Sequence, residues 1–409
     1  MSGRRVGVFH AGTQHSWQTA LAFQESGQLG WYATSVFYNP RKWPYRIEGF
    51  MPGPLGRKLN REFRRRGTPL LDLGLVRTFG VHEWVESVAR RLNMHGLADL
   101  ANVRGNVAFG KDVIRLLQRE PVDVVWGYNN SSVEVFRWAK RRGIACVLDQ
   151  TIGHPRALNE VMLAEQARHP EFFLRAFRPF DAAWIAQQDE EVALADKVVV
   201  GCEFCAQTMI DNGCPPEKLT IVPYGYDETA FSAVRPARAR RDGPARFLFV
   251  GTVDPRKGVQ YLLKAFEAIP AAEASLTLIG KLAIPAATFE RFRGRVTHVG
   301  QLPRHEIAAR FAEADCFVFP SLFEGGGIVL YEALGSGLGV IQSGASAIVV
   351  ENGRNGVLLD KISIDGVTQA IRDAAARPDL LARWQDESWQ LRGSHGWDRY
   401  REQLRGLIP

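Results

Sequence analysis

Short runs of β-branched and aromatic residues alternate with stretches of helical period along the whole chain, the pattern of parallel α/β layers. In the first half, Val6–Phe9, Ala33–Phe37, Val122–Trp126, Ala145–Leu148 and Lys197–Val200 predict strands. Between them Phe109, Val113, Leu116 and Leu117 share one face of a predicted helix. In the second half the predicted strands are Leu219–Val222, Phe247–Val250, Leu276–Ile279, Val296–Val299, Cys316–Phe319, Gly339–Ile341 and Gly356–Leu358. The stretch after Gly258 carries Val259, Leu262, Leu263, Phe266 and Ile269 on one side, a core-facing stripe. Trp397, Tyr400, Leu404 and Leu407 recur at helical spacing after the Gly393–Gly396 interruption and read as core of the first half.

A chain of 409 residues is long for one core and comfortable for two. The turn-rich Pro223-Tyr-Gly-Tyr-Asp227, followed by a loose basic stretch to Arg246, marks the crossing between them. The expected domains are 1–223, completed by 388–409, and 224–387. No run reads as a membrane span: the longest nearly uncharged one, 325–350, is broken by Glu332 and by glycines and serines. Arg4 and Arg5 precede an apolar run of only Val6–Phe9, a buried first strand and not a signal peptide, so cytoplasmic residence is expected.

Five cysteines in a chain this long make no disulfide framework. Cys202 and Cys205 form a lone C-x-x-C with only Cys214 nearby, which favours small buried residues over a metal site. The charge is uneven. Residues 41–66 hold nine basic against two acidic residues, a surplus as large as the +7 of the whole chain. Within that patch Leu55, Leu59 and Phe63 fall at i, i+4, i+8 among Arg57, Lys58, Arg61, Arg64, Arg65 and Arg66. The pattern suits an interfacial helix peripheral on anionic membrane, and equally a solvated basic face. No recognised nucleic-acid module accompanies the charge, so no nucleic-acid partner is expected.

Candidate chemistry concentrates in Phe317-Val-Phe-Pro-Ser-Leu-Phe-Glu324-Gly-Gly-Gly-Ile-Val-Leu-Tyr-Glu332. An apolar strand ends at Pro320, a carboxylate follows, and three glycines lead into a helix. Open α/β sheets bind ligands at that end of their strands, and free amides at a helix start attract phosphate. Acceptor-only carboxylates such as Glu324 and Glu332 suit hydroxyl pairs on sugars. A second strand–loop–helix turn, Val250-Gly-Thr-Val-Asp-Pro-Arg256-Lys257-Gly-Val, carries two cations able to neutralise a diphosphate. Either segment alone is also compatible with an ordinary glycine-rich turn or a solvated charge pair.

Four ordered segments together resemble the GT-B glycosyltransferases of the family 4, retaining type. They are Glu190–Val200, Leu219–Asp227 with Phe231, Phe249–Gly258, and Val299–Pro303 running through Glu306 to the E-x7-E element. The resemblance covers roughly 185–360 well and the first 180 residues loosely. It implies an α/β, GT-B fold, with two Rossmann-like domains facing across a cleft and a C-terminal helix crossing back to the first. It also implies a catalytic set of Glu324, Lys257 and a group at the end of the fifth strand. In the family's roles, Glu332 binds ribose hydroxyls and Glu324 holds the donor sugar. The amides of Ile328 and Val329 take the distal phosphate with Lys257, Gly326 and Gly327 let the donor approach, and the Gly300–Pro303 strand end with Leu302 frames the base. Gly12, in His10-Ala-Gly-Thr-Gln-His15, resembles the glycine turn that faces the diphosphate.

The chain departs from the family in three places. Thr252 stands where an Arg is common, and Arg256 is the candidate to supply that charge. Gly326 stands where an aromatic is usual, which predicts a more open donor loop. The strand-end His falls on Asp149 or Gln150, leaving His154 either to reach that place from its loop or to be a turn histidine. The mechanism implied is same-face attack by an acceptor hydroxyl as the diphosphate leaves. The D-x-D motif of the other large glycosyltransferase fold is absent, so no metal and no cofactor beyond the nucleotide-sugar substrate are expected. The expected partners are a nucleotide-sugar donor and a glycan or lipid-linked acceptor. Competing expectations are a sugar-nucleotide epimerase or hydrolase on the same frame, and a non-catalytic sugar-nucleotide-binding protein.

Overall fold

A computed structural model of the chain describes residues 3–12, 14–43, 45–46, 63, 67–79, 95–232 and 243–408. Leu55, Leu59 and the basic cluster Arg57–Arg66 of the proposed interfacial helix lie outside the described residues, as does Thr13. Among the described residues no helix is long and apolar enough to cross a membrane.

Two parallel sheets organise the chain, in an α/β fold of two Rossmann-like domains of the GT-B type. The first is built from β1 (Val6–His10), β2 (Leu29–Thr34), β3 (Val76–Thr78), β4 (Val124–Tyr128), β5 (Ala145–Gln150), β6 (Lys197–Val200) and β7 (Leu219–Ile221), in spatial order β3-β2-β1-β4-β5-β6-β7. The second contains β8 (Ala245–Val250), β9 (Ala274–Ile279), β10 (Val296–Gly300), β11 (Cys316–Phe319), β12 (Gly339–Ser343) and β13 (Gly356–Leu359), in order β10-β9-β8-β11-β12-β13. Every pairing in this second sheet is parallel.

Strand order matters for function. In each sheet the direction of succession reverses once, at β1/β4 in the first and at β8/β11 in the second. A reversal leaves the connections on either side running over opposite faces, which opens a crevice at the strands' carboxyl ends where ligands of open sheets bind.

The chain divides into two compact units, Met1–Gln150 with Ala186–Val199 and Arg401–Pro409, and Thr151–Ile185 with Val200–Tyr400. In the first unit the expected stripe Phe109, Val113, Leu116 and Leu117 is buried on the helix His95–Arg119. In the second, Val259, Leu262, Leu263, Phe266 and Ile269 are buried along and just after the helix Val259–Ala268. The C-terminal stripe is shared out. Trp397 and Tyr400 pack with Tyr224 in the second unit, whereas Arg401 bonds Gln18 and Arg401 and Arg405 pair with Glu25 in the first.

One strand differs from its expected place. The run Ala33–Phe37 is not the second strand, which begins four residues earlier at Leu29 and ends at Thr34. Gly27, just before this strand, adopts a left-handed conformation (φ 70°). Gly30 lies inside the strand because a β-carbon there would stand 2.7 Å from Val122 Cγ1.

Candidate functional site

At the β8/β11 switch point, two loops are interlocked by glycines that no other residue could replace without movement. The loop after β8 turns through a 3-10 helix, Pro255–Lys257, whose start is capped by Asp254 accepting from the Lys257 amide at 3.1 Å. Gly258 follows in a left-handed conformation, and a β-carbon on it would stand 1.9 Å from the Pro320 carbonyl oxygen at the end of β11. The two loops are further joined by Leu322 N–H to Arg256 O at 2.8 Å and Ser321 Oγ to the same carbonyl at 3.2 Å.

That interlock brings cations onto Glu324. Its Oε1 accepts from Arg256 Nη1 at 2.8 Å and from Ser321 Oγ at 2.9 Å, and pairs with Lys257 Nζ. Arg256 Nη1 also donates to Phe323 O at 2.6 Å, and the Lys257 ammonium stands 4.9 Å from the Phe319 ring centroid. Burial pushes the Lys257 ammonium below its ordinary range, against the opposing pull of Glu324. Among the described residues no donor bonds the second oxygen, Oε2. Arg256, the candidate for the charge missing at Thr252, stands against Glu324 in this clamp of Glu324, glycine turn and Glu332. Thr252 itself is half-buried just past Gly251.

The three glycines after Glu324 serve three separate needs. A β-carbon at Gly325 would lie 1.7 Å from Thr151 O, and one at Gly326 would lie 2.3 Å from Tyr224 Cδ2. Gly327 is left-handed (φ 64°) and caps the helix Ile328–Gly335. The expectation of an open loop at Gly326 is thus corrected: the Tyr224 ring lies against the glycine, supplying from another segment the bulk that the position itself lacks. Behind the loop, Cys202 and Cys205 donate their thiols to Gly325 O, both at 3.0 Å, and Cys205 also to Glu324 O at 3.2 Å. The C-x-x-C is a buried support for the glycine turn. Among the described residues no group of three or more His, Cys, Asp or Glu is placed to hold a metal ion.

Ile328 and Val329 open the helix half-exposed, with first-turn amides that no carbonyl four residues earlier can satisfy. One turn on, Glu332 is buried among Leu330, Tyr331, Ala333 and Leu334. Arg304 Nη2 donates to its Oε1 at 2.6 Å. Burial raises the Glu332 carboxyl to about 7, opposed by Arg304 and assisted by Asp227. Arg304 follows directly on the Gly300–Pro303 strand end, where Gly300 is left-handed (φ 83°) and Leu302 half-buried. Sequence reading passed over Arg304, because a helix-start arginine of half-exposed side chain carries no local signal of its distant partner.

His154 is buried in the second unit and caps the helix Pro155–Arg168. Its Nδ1 accepts from the Arg156 amide at 3.2 Å, while its own amide donates to Thr208 Oγ1 at 3.0 Å. This is the geometry of a turn histidine.

In the first unit the β1/β4 switch point gathers a different group. Asp149, near the end of β5, is fully buried, accepts from Trp126 Nε1 at 3.3 Å and lies 3.6 Å from His15 Nε2. Gly12 O is held by His10 Nδ1 at 2.5 Å and Thr34 Oγ1 at 3.3 Å. Burial lowers the His10 imidazole to about 4, so near neutral pH it is uncharged. Tyr128, the last residue of β4, meets both His10 and His15 edge-on. His10 and His15 were visible in the sequence as flanks of Gly12. Their convergence with Asp149 depends on β1 and β4 being neighbours.

Comparison with known proteins bears on the family and the fold. The profile of the family "Glycosyl transferases group 1" matches residues 231–389, and that of "Glycosyl transferase 4-like domain" matches residues 64–225. An O-antigen chain mannosyltransferase B of Escherichia coli is 27% identical over 155 residues, 35% of this chain and 38% of that protein. A D-inositol 3-phosphate glycosyltransferase of Geodermatophilus obscurus is 28% identical over 246 residues, 54% of each. The chain thus spans from under two-fifths to about half the length of these curated relatives. Among solved structures, sucrose-phosphate synthase from Thermosynechococcus elongatus superposes with a TM-score of 0.67 at 17% identity, covering 99% of this chain and 98% of that one. Anabaena HepE in complex with UDP-glucose gives a TM-score of 0.64 at 13% identity, covering 99% of both chains. WaaG, a glycosyltransferase involved in lipopolysaccharide biosynthesis, gives 0.60 at 15% identity over 98% of this chain and 99% of that one.

Proposed function

We propose that this chain, which belongs to the group 1 glycosyltransferases of the family 4 type, moves a sugar from a nucleotide-sugar donor to a glycan or lipid-linked acceptor, with retention and without a metal ion. One observation carries the reading: Arg256 and Lys257 converge on one oxygen of Glu324 at the head of the helix that bears Glu332. Glu324 presents its other oxygen to the donor sugar's hydroxyls, Glu332 takes the ribose diol, and the diphosphate between them meets the Ile328 and Val329 amides with Lys257.

In the step itself the bond from the anomeric carbon to the diphosphate oxygen breaks. The acceptor hydroxyl oxygen bonds the same carbon from the same face, and its proton passes to the departing phosphate oxygen. Positioning and fixed charge then carry most of the rate, a loop cation being worth about 3–4 kcal/mol by analogy with lost oxyanion donors. Residues of the Gly12 turn and Asp149 are proposed to act from the first unit. His154, as a helix cap, is proposed to hold its loop in shape.

A thermal-shift panel of nucleotide sugars tests the reading. UDP-glucose heads it because HepE was solved with that compound, and a GDP-mannose arm follows because mannosyltransferases are among the relatives. Product analysis with and without a membrane extract then separates transfer from acceptor-independent epimerisation or hydrolysis, and from binding without chemistry. Activity abolished by exhaustive chelation and restored by Mg²⁺ would remove the metal-independent step.

A further inference from the structure

The second unit holds a cavity of about 880 Å³ lined in part by Arg256, and none of the preceding roles uses it. Its wall comes chiefly from one loop, in which Phe173, Leu174, Ala176 and Phe177 stand beside Arg175 and Arg178, and Arg256 completes it. The loop is pinned at both ends. At its start Phe172 is fully buried, and Thr288 Oγ1 donates to Glu171 O at 2.5 Å. At its end Asn159 exchanges two bonds with the Phe180 backbone, at 2.9 and 3.0 Å, while the Phe180 ring stacks on Trp184. Between these anchors Leu174 is 59% exposed.

The lining chemistry is restrictive. It includes three guanidinium groups and one carboxylate, Asp254, which already caps the Lys257 amide, and all remaining lining side chains are apolar. Among them there is no hydroxyl, amide or indole to read the hydroxyls of a glycan. Cations beside an apolar wall fit an anionic head attached to a hydrocarbon tail. Both side-chain bonds of Arg256, to Phe323 O and Glu324 Oε1, leave from Nη1, and Arg256 is also part of the cavity lining.

We propose that this cavity is the subsite of an amphiphilic acceptor in which a phosphate is joined to an apolar chain. The phosphate meets Arg175, Arg178 and Arg256, and the chain lies along Phe173, Leu174 and Phe177. The inference rests on the transfer reading above and names the acceptor class for it. Arg256 then links the two substrates, touching both the donor-sugar carboxylate and the acceptor phosphate.

Calorimetric titration of the full chain with dihexanoyl phosphatidic acid tests the proposal, with dihexanoylglycerol and inorganic phosphate as separate arms. The intact amphiphile is expected to bind at least about tenfold more tightly than either fragment. The exposed double variant Arg175→Ala, Arg178→Ala and, separately, Leu174→Asp should each weaken it at least about tenfold while leaving UDP and GDP thermal shifts unchanged. Equal binding of the amphiphile and either fragment overturns the proposal, as does affinity untouched in both variants. The two readings fail separately. Donor that binds and turns over while the amphiphile does not bind sinks only the acceptor subsite. Amphiphile binding in a protein that no nucleotide or nucleotide sugar stabilises sinks the transfer reading and leaves a lipid-phosphate site.

Discussion

Gly258 sits against the backbone of Pro320 so closely that a β-carbon on it would lie 1.9 Å from the Pro320 carbonyl oxygen. Its φ of 70° independently excludes most side chains. Gly258→Ala should therefore cost more than the roughly 1–3 kcal/mol of a strained backbone conformation, because the loop carrying Arg256 and Lys257 must also move. Gly213→Ala is the control, since Gly213 has φ 94° with open space around it. Thermal denaturation should show the larger drop for Gly258→Ala, accompanied by weaker donor binding only there. Equal losses in the two variants would remove the interlock from the account.

Lys257 and Arg256 share one oxygen of Glu324, yet they differ in burial, the lysine side chain being 12% exposed and the arginine 28%. Replacing Lys257 by Ala should lower kcat by about 10²–10³, the range for a lost charge-stabilising donor. Arg256 and Ser321 would still hold the carboxylate, so folding should survive. Steady-state kinetics with the donor found by the panel checks this, and a change confined to KM would assign Lys257 to ground-state binding.

In the proposed role of Glu332 as ribose ligand, its raised carboxyl is expected to make donor binding depend on pH. With its pKa near 7, the group is half-protonated at neutral pH and gains full acceptor character only above that. Donor affinity is expected to rise between pH 6 and 8. Glu332→Gln should weaken binding and flatten the dependence. Arg304→Ala should push the midpoint upward, because Arg304 opposes the effect of burial. A donor affinity independent of pH in the unaltered protein would exclude Glu332 as the ribose ligand.

Glu191 links sequence-distant parts of the first unit. Its carboxylate accepts from the Ser132, Val133 and Asn130 amides at 2.7, 3.1 and 2.9 Å, and burial nonetheless raises it from 4.5 to about 7. A carboxyl raised in the folded state contributes stability that is complete below its unfolded value and lost as pH rises through the folded one. The stability of the unaltered protein relative to Glu191→Gln should therefore fall between pH 5 and 8. Glu191→Ala, which leaves three amides without the carboxylate, should cost about 1.5–3 kcal/mol or more. Denaturant titrations at pH 5 and 8 measure both, and a pH-independent gap between the protein and Glu191→Gln would contradict the raised pKa.

Much of the clamp was legible locally. Glu324, the three glycines and Glu332 lie within nine residues, and their order along a strand, turn and helix dictates which groups a ligand meets first. Short-range periodicity likewise identified the buried faces of the helices His95–Arg119 and Val259–Ala268, because a helix records its buried side in its own spacing. The misplaced second strand shows the limit of such reading. Gly30 lies inside that strand, where the side chain of Val122, ninety-two positions away, crowds the place of a β-carbon.

Tertiary structure decided the rest, because it turns on which strands are neighbours. The adjacency of β8 and β11 brings Arg256 and Lys257 to Glu324, and that of β1 and β4 brings Tyr128 to His10 and His15. Arg304 on Glu332, Tyr224 against Gly326 and the thiols of Cys202 and Cys205 on Gly325 are all contacts between segments that no short window contains. The sequence by itself determined the kinds of group available to a ligand and the turns that present them. Packing determined which of those groups meet, how far each is buried, and hence the charge that each carries.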